Sequence, residues 1–121
     1  MNLFDEQWEF LKDVARLIFE ADDMGYKLTG GELYRPQEMQ EIYYKQGKTR
    51  TLKSRHSRRL AIDFNISCRI RDKWILTYDY DLICPLSDFW ESLSPKNKWG
   101  GNWKSLNDVG HFERRAYSKR R

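Results

Sequence analysis

Cysteine is scarce in this chain: Cys68 and Cys84 are the only two in 121 residues. They lie far apart and form no Cys-x-x-Cys pair, which argues against a disulfide-stapled secreted scaffold and favours synthesis in a reducing cytoplasm. Long hydrophobic runs are missing as well. Residues 1–20 are rich in Asp and Glu and lack a basic start followed by an unbroken apolar stretch, so the sequence reads as carrying neither signal peptide nor membrane span. A target beyond the membrane would then be reached only after another agent opened the way. No internal repeat, low-complexity segment or linker to a targeting module is visible. The pair Gly100-Gly101 lacks the spacing and the Lys-Ser/Thr ending of a phosphate-binding loop, which argues against nucleotide hydrolysis. Histidine is limited to His56 and His111.

What is present suffices for a core. Hydrophobic residues make up 40% and aromatic residues 15%, with five Trp, against a charged fraction of 33%. A chain of this length buries enough surface for one domain rather than two, so a single domain over residues 1–121 is expected. The formal charge of +4, from 22 basic and 18 acidic residues, favours polyanionic surfaces, nucleic acid and anionic cell wall alike.

Phe4, Trp8, Leu11, Ala15, Ile18 and Phe19 recur at three- and four-residue steps, which predicts an amphipathic helix over residues 2–22 with Gly25 as its stop. Residues 26–34 read as extended, interrupted by Gly30 and Gly31. Pro36 suits a first helical turn and starts a second helix, with Met39, Ile42 and Tyr43 as its stripe and an end near Gly47. The polar, basic residues 48–59 read as a loop. Strands are expected over residues 60–66 and 73–78, with 67–72 as the hairpin connection. A helix over residues 82–93, with Pro85 early in it, gives way to a broken stretch through Gly101. A last strand is expected over residues 111–117. The fold class is α+β, a small, mostly antiparallel sheet flanked by helices.

Each histidine has a carboxylate at short spacing: Asp63 follows His56 by seven residues and Asp108 precedes His111 by three. Catalytic zinc commonly takes three nitrogen or oxygen ligands from protein and leaves a fourth position for water, so two His and one Asp suffice and the other acid is free to manage protons. Spacing alone does not choose between this arrangement and ordinary surface hydrogen bonding. A closed structural zinc site from Cys68, Cys84 and both histidines is the competing metal arrangement, for which the cysteines are poorly spaced.

The neighbouring residues add a pattern. The run Ser54-Arg55-His56-Ser57-Arg58-Arg59-Leu60-Ala61-Ile62-Asp63-Phe64 resembles the Ser-x-His-x-x-Gly-x-Ala-x-Asp signature of the zinc DD-peptidase and L-alanyl-D-glutamate endopeptidase family, which includes phage endolysins. Trp99-Gly100-Gly101-Asn102-Trp103-Lys104, followed by Asp108-Val109-Gly110-His111-Phe112-Glu113, is similar to that family's Trp-Gly-Gly-x-Trp segment and Asp-x-x-His-Phe ending. Tyr34-Arg35-Pro36 and Phe89-Trp90 extend the resemblance over roughly residues 25–112. One departure is Arg59, where the signature commonly has Gly.

The resemblance implies the hedgehog/DD-peptidase fold, with zinc held by His56, Asp63 and His111 and Asp108 as the catalytic carboxylate. It places Arg35 near the metal, to stabilise an oxyanion or fix a substrate carboxylate. Ser54 is then a substrate-binding or loop-orienting residue, and Trp103, with Trp99, lines a substrate groove or packs in the core. The substrate implied is the stem peptide of bacterial peptidoglycan, cut by a phage or prophage endolysin with no separate wall-binding domain. A monomer made in the bacterial cytoplasm is expected, inserted in no membrane and without nucleic acid as partner.

Blander readings stand beside these. Asp108 is also suited to capping a turn, and Glu113, on the same strand face as His111, is an alternative base or a supporting group. Arg114, Arg115, Lys119, Arg120 and Arg121 read as a solvated basic tail. Lys48, Arg50, Lys53, Arg55, Arg58 and Arg59 crowd the proposed site, where carboxylate recognition and plain solubility both account for them. The rivals are D-alanyl-D-alanine cleavage, a degenerate wall-binding module, and a small basic nucleic-acid-binding protein using residues 48–59 and the tail.

Overall fold

The computed structural model describes residues 1–49, 54–103 and 107–115. Helix α1, Leu3–Met24, is capped by the Asn2 side chain, which accepts from the Asp5 backbone N–H, and ends on Gly25 in the left-handed region. That is the ending a glycine favours, because it carries no Cβ penalty there. Strand β1, Tyr26–Gly30, follows, then helix α2, Gln37–Lys45, entered through Pro36. Strand β2 runs Ala61–Ile70, β3 Lys73–Leu76, helix α3 Tyr80–Leu93, β4 Asn97–Trp99 and β5 His111–Arg114. The expected α+β architecture is what these elements form.

Every strand pairing is antiparallel, and the sheet order is β1-β2-β5-β4 with β3 also on β2. Strand β2 is the hub, and its alternation sorts the two faces. Phe64 and Ile66 turn towards the helices, where they join Phe10, Val14 and Leu17 of α1 and Ile83, Leu86 and Trp90 of α3 in one core, with the partly buried Ile62 packed against it. Ala61 and Asp63 point to the opposite face, as side chains one residue out of step must. On β5 the same rule sends Phe112 into the core and leaves His111 and Glu113 opposite.

The structure differs from the expectations in five places. The α1 stripe legible in the sequence is not the buried one: the core takes Phe10, Val14, Leu17 and Ala21, while Phe4, Trp8, Leu11, Ile18 and Phe19 are exposed. On α2 only Gln40 is buried. The β2–β3 connection is just Arg71 and Asp72, both at positive φ, because β2 continues to Ile70. The stretch after α3 holds β4 and a short 3-10 turn, Gly100–Asn102. Finally, the basic tail read as solvated begins inside β5, where Arg114 is buried against Glu6 of α1 at 2.7 Å. Residues 116–121, with Tyr117, Lys119, Arg120 and Arg121, and residues 50–53, with Arg50 and Lys53, lie outside the described residues.

Candidate metal centre

The β2–β5 register sets Asp63 opposite His111 and Ala61 opposite Glu113. His56 arrives from a short 3-10 turn, His56–Arg58, packed against the start of β2. The turn closes through the Arg59 backbone, which sits at φ 59 and donates to the His56 carbonyl. Left-handed geometry therefore survives at the position where the family signature has glycine, and Arg59 bears the strain of order 1 kcal/mol that a side chain meets there. Its guanidinium lies 4.1 Å from the centre of the Tyr34 ring, a stacking contact that offsets part of that cost.

The segment after β1 fixes both partners. Gly31 donates to the Asp63 carbonyl at 2.9 Å, and the Asp63 N–H donates to Glu32 at 2.8 Å. The Leu33 carbonyl meets His56 Nδ1 at 2.9 Å, so Nδ1 carries the proton and Nε2 presents a lone pair. A Cβ on Gly31 would stand 2.5 Å from the Asp63 carbonyl oxygen, so the close crossing requires glycine. These backbone contacts have no side-chain signature and were not legible in the sequence.

His56, Asp63 and His111 each bring a ligand atom within 4.8 Å of the others. His56 Nε2 is buried without a hydrogen bond, although Asp63 Oδ2 is 3.2 Å away. His111 Nδ1 lies 2.9 Å from Asp63 Oδ1, and its Nε2 lies 2.8 Å from Glu113 Oε1. Glu113 thus stands where a carboxylate orients a ligating imidazole from behind. It is itself held by Arg115 at 2.8 Å and faces Arg55 at 3.7 Å. Imidazole and carboxylate donors converging with an orphaned nitrogen are a donor set suited to zinc.

Electrostatics follow from this packing. Burial works to lower the His111 pKa, but the hydrogen bonds with Asp63 and Glu113 prevail and raise it to about 9. Burial likewise opposes charge on Asp63, yet His111 and His56 hold its carboxyl well below the ordinary range. A divalent cation among these groups would replace the protons they otherwise share. Asp108 moves the other way: burial, then the neighbouring Asp63 charge, raise its pKa.

Asp108 and Trp103 line the same cavity as His56 and His111. Trp103 is half-buried with its ring 4.7 Å from the His111 ring. Trp99, by contrast, is a core residue whose indole N–H donates to the Val109 carbonyl at 2.8 Å. Gly100 is what allows the approach, since a Cβ there would clash with the Asp108 carbonyl oxygen and come within 2.9 Å of His111 Cβ. Ser54 borders the cavity and accepts from the His56 N–H at 3.1 Å, a loop-orienting contact. Arg35 also lines it, its guanidinium bound to Glu32 and to Gln40 at 2.6 Å. Lys48, Arg55 and Arg115 complete a cationic rim. Both cysteines are free, and among the described residues neither belongs to the donor cluster.

A fold with one sheet face given to a His-Asp-His cluster beside a half-buried acid is the frame of a metallopeptidase. The profile of the D-alanyl-D-alanine carboxypeptidase family matches residues 47–114, more than half of the chain, and the chain belongs to that family. It is accordingly a metallopeptidase acting on peptidoglycan, in a family that is zinc-dependent. Among solved structures it is similar to the Serratia marcescens L-Ala D-Glu endopeptidase ChiX, with a TM-score of 0.62 and 23% identity over 85% of this chain and 78% of that one. No curated protein matches the chain. Among the described residues no helix is long and apolar enough to cross a membrane.

Proposed function

We propose that this chain is a zinc-dependent L-alanyl-D-glutamate endopeptidase acting on peptidoglycan stem peptides, in the manner of a phage or prophage endolysin. The observation that carries the zinc assignment is the orphaned, buried His56 Nε2 facing Asp63 and His111. These three residues hold the ion, with Leu33 and Glu113 fixing the two imidazole tautomers. Bound there, zinc supplies the Lewis acidity that polarises the scissile carbonyl and acidifies the attacking water.

The protein's own groups do the rest. Asp108, with its raised pKa, takes the proton from the attacking water and returns it to the departing amine. Trp103 walls the site beside His111, so the reaction proceeds against a partly dry surface. Arg35, clamped by Glu32 and Gln40, presents a fixed cation for an oxyanion or a substrate carboxylate, and Ser54 holds the His56 loop. The cavity, about 230 Å³, is smaller than pockets that enclose a whole ligand, which suits a peptide that crosses it. The fold shared with an L-Ala D-Glu endopeptidase supports internal cleavage, while the family description keeps D-alanyl-D-alanine cleavage as the second reading.

Mass spectrometry of products from purified muropeptides, with and without chelator, decides between them. Release of L-alanine-terminated sugar fragments is the expected result. Loss of terminal D-alanine alone would move the assignment to carboxypeptidase, and no chelator-sensitive cleavage of any bond would refute it.

A further inference from the structure

Glu113 has one charge to share, and two arginines and a histidine converge on it. Its Oε1 lies 2.8 Å from His111 Nε2; its Oε2 accepts from Arg115 Nε at 2.8 Å, with Arg55 Nε 3.7 Å away. That last distance is beyond hydrogen-bond reach, and among the described residues the Arg55 side chain donates no hydrogen bond. One carboxylate therefore faces two guanidiniums, which leaves surplus positive charge and unused N–H donors. Both arginines line the cavity. Their backbones are anchored: the Arg115 N–H donates to the Lys96 carbonyl at 2.8 Å, and the Arg55 carbonyl accepts from Leu60 at 2.8 Å and Arg58 at 3.1 Å. Two anchored cations with donors to spare are a seat for an anion.

The substrate class supplies that anion. In an L-alanyl-D-glutamyl bond whose chain continues through the γ-carboxyl, the glutamate keeps its α-carboxyl, free or as the amide. That group sits on the carbon bonded to the scissile nitrogen, about 2.5 Å from it, so a bond held at the metal centre brings it into the same cavity. A guanidinium meets a carboxylate through two parallel hydrogen bonds, whereas an amide offers one acceptor and no charge. Arg35 is the poorer seat, because Glu32 and Gln40 already hold its guanidinium and its side chain is 12% exposed, against 36% for Arg55 and 47% for Arg115. Neither Arg55 nor Arg115 belongs to the shared signature. Arg55 fills the variable position between Ser54 and His56, and Arg115 lies one residue past the matched residues 47–114.

We propose that Arg55 and Arg115 are specificity-determining residues that bind the free α-carboxylate of the D-glutamate on the leaving side of the scissile bond. The chain then prefers glutamate stem peptides to their isoglutamine counterparts. This rests on the endopeptidase reading and adds to it the form of substrate that is cut.

Two muropeptides that differ only in this α-carboxyl, acid in one and amide in the other, test it. With the zinc-loaded chain, kcat/KM for the acid should exceed that for the amide by about tenfold or more, the scale of a charge-assisted pair. In the Arg55→Gln, Arg115→Gln double variant the acid-to-amide ratio should fall towards one. Arg55→Gln alone, which breaks no hydrogen bond of the fold, should lower it part of the way. A role confined to holding Glu113 would depress both substrates together and leave the ratio intact. Calorimetric titration of both muropeptides into zinc-loaded Asp108→Asn reads the same preference without turnover. Absence of cleavage between L-alanine and D-glutamate would remove the endopeptidase reading, and the titration would still judge the two arginines. A wild-type ratio near one, a ratio that the double variant leaves unchanged, or equal affinity for acid and amide in the titration would overturn the proposal.

Discussion

Gly100 has no side chain, and two site residues depend on that. Because an added Cβ would collide with the Asp108 carbonyl and crowd His111, Gly100→Ala should cut kcat/KM by one to two orders of magnitude, as an ångström of misplacement does. Steady-state kinetics on a soluble muropeptide measures it. Asp108→Asn should keep zinc yet lose about 100-fold or more in kcat, the scale of a missing general base; metal analysis beside turnover separates the two effects. The sign of the pH dependence follows from Asp108 being raised by burial and Asp63. A base works deprotonated, so activity should be lost as pH falls through its pKa, and pH–rate profiles of Asp108→Asn, which has no such group, should lack that acid limb. At Arg59, left-handed strain, the stack on Tyr34 and the extra unfolded-state entropy of glycine nearly cancel. Arg59→Gly should therefore change stability by no more than about 1 kcal/mol, whereas the β-branched Arg59→Ile should cost about 1–2 kcal/mol in thermal melts.

At the scale of elements, α1 is tied to the sheet by charge as well as by apolar packing. Glu6 is buried and binds both Arg114 of β5 and Lys96 before β4, each at 2.7 Å. Burial opposes its charge, but those two hydrogen bonds win and its pKa is lowered. A carboxylate depressed in the folded state adds stability above its unfolded pKa and loses it as pH falls through the folded one. Glu6→Gln should therefore flatten the acid limb of stability and, by stranding buried Arg114, cost about 3 kcal/mol near neutrality; urea melts across pH report both. This tie also marks the limit of what the sequence discloses. Helix α1 was legible from its period and from Gly25, but both of its faces are apolar, so periodicity chose Phe4, Trp8 and Leu11 over the core-facing Phe10 and Val14. Strand β4 is three residues long and too short for any alternation to register. The clustering of His56, Asp63 and His111 on one side of the sheet was legible through the motifs around them. Leu33 was not, because it acts through its carbonyl, and Glu113 was recognised only as a neighbour on the same strand face.

Over the whole molecule the charge is segregated. Seven of the 18 acidic residues but only two of the 22 basic ones lie in α1, which leaves the remainder strongly cationic. Lys48, Arg55 and Arg115 bring part of that charge to the cavity. Attraction of this kind is screened within about 8 Å at physiological ionic strength, so binding to isolated, anionic cell wall should weaken steeply with salt in pelleting assays. The central claim, that one sheet face holds a catalytic metal, is tested most directly by anomalous diffraction at the zinc edge from crystals of the zinc-loaded protein. The account predicts a single strong peak bounded by His56 Nε2, Asp63 and His111 Nδ1, with Asp108 on the cavity side. A peak at Cys68 or Cys84, or none at the histidines, would contradict it.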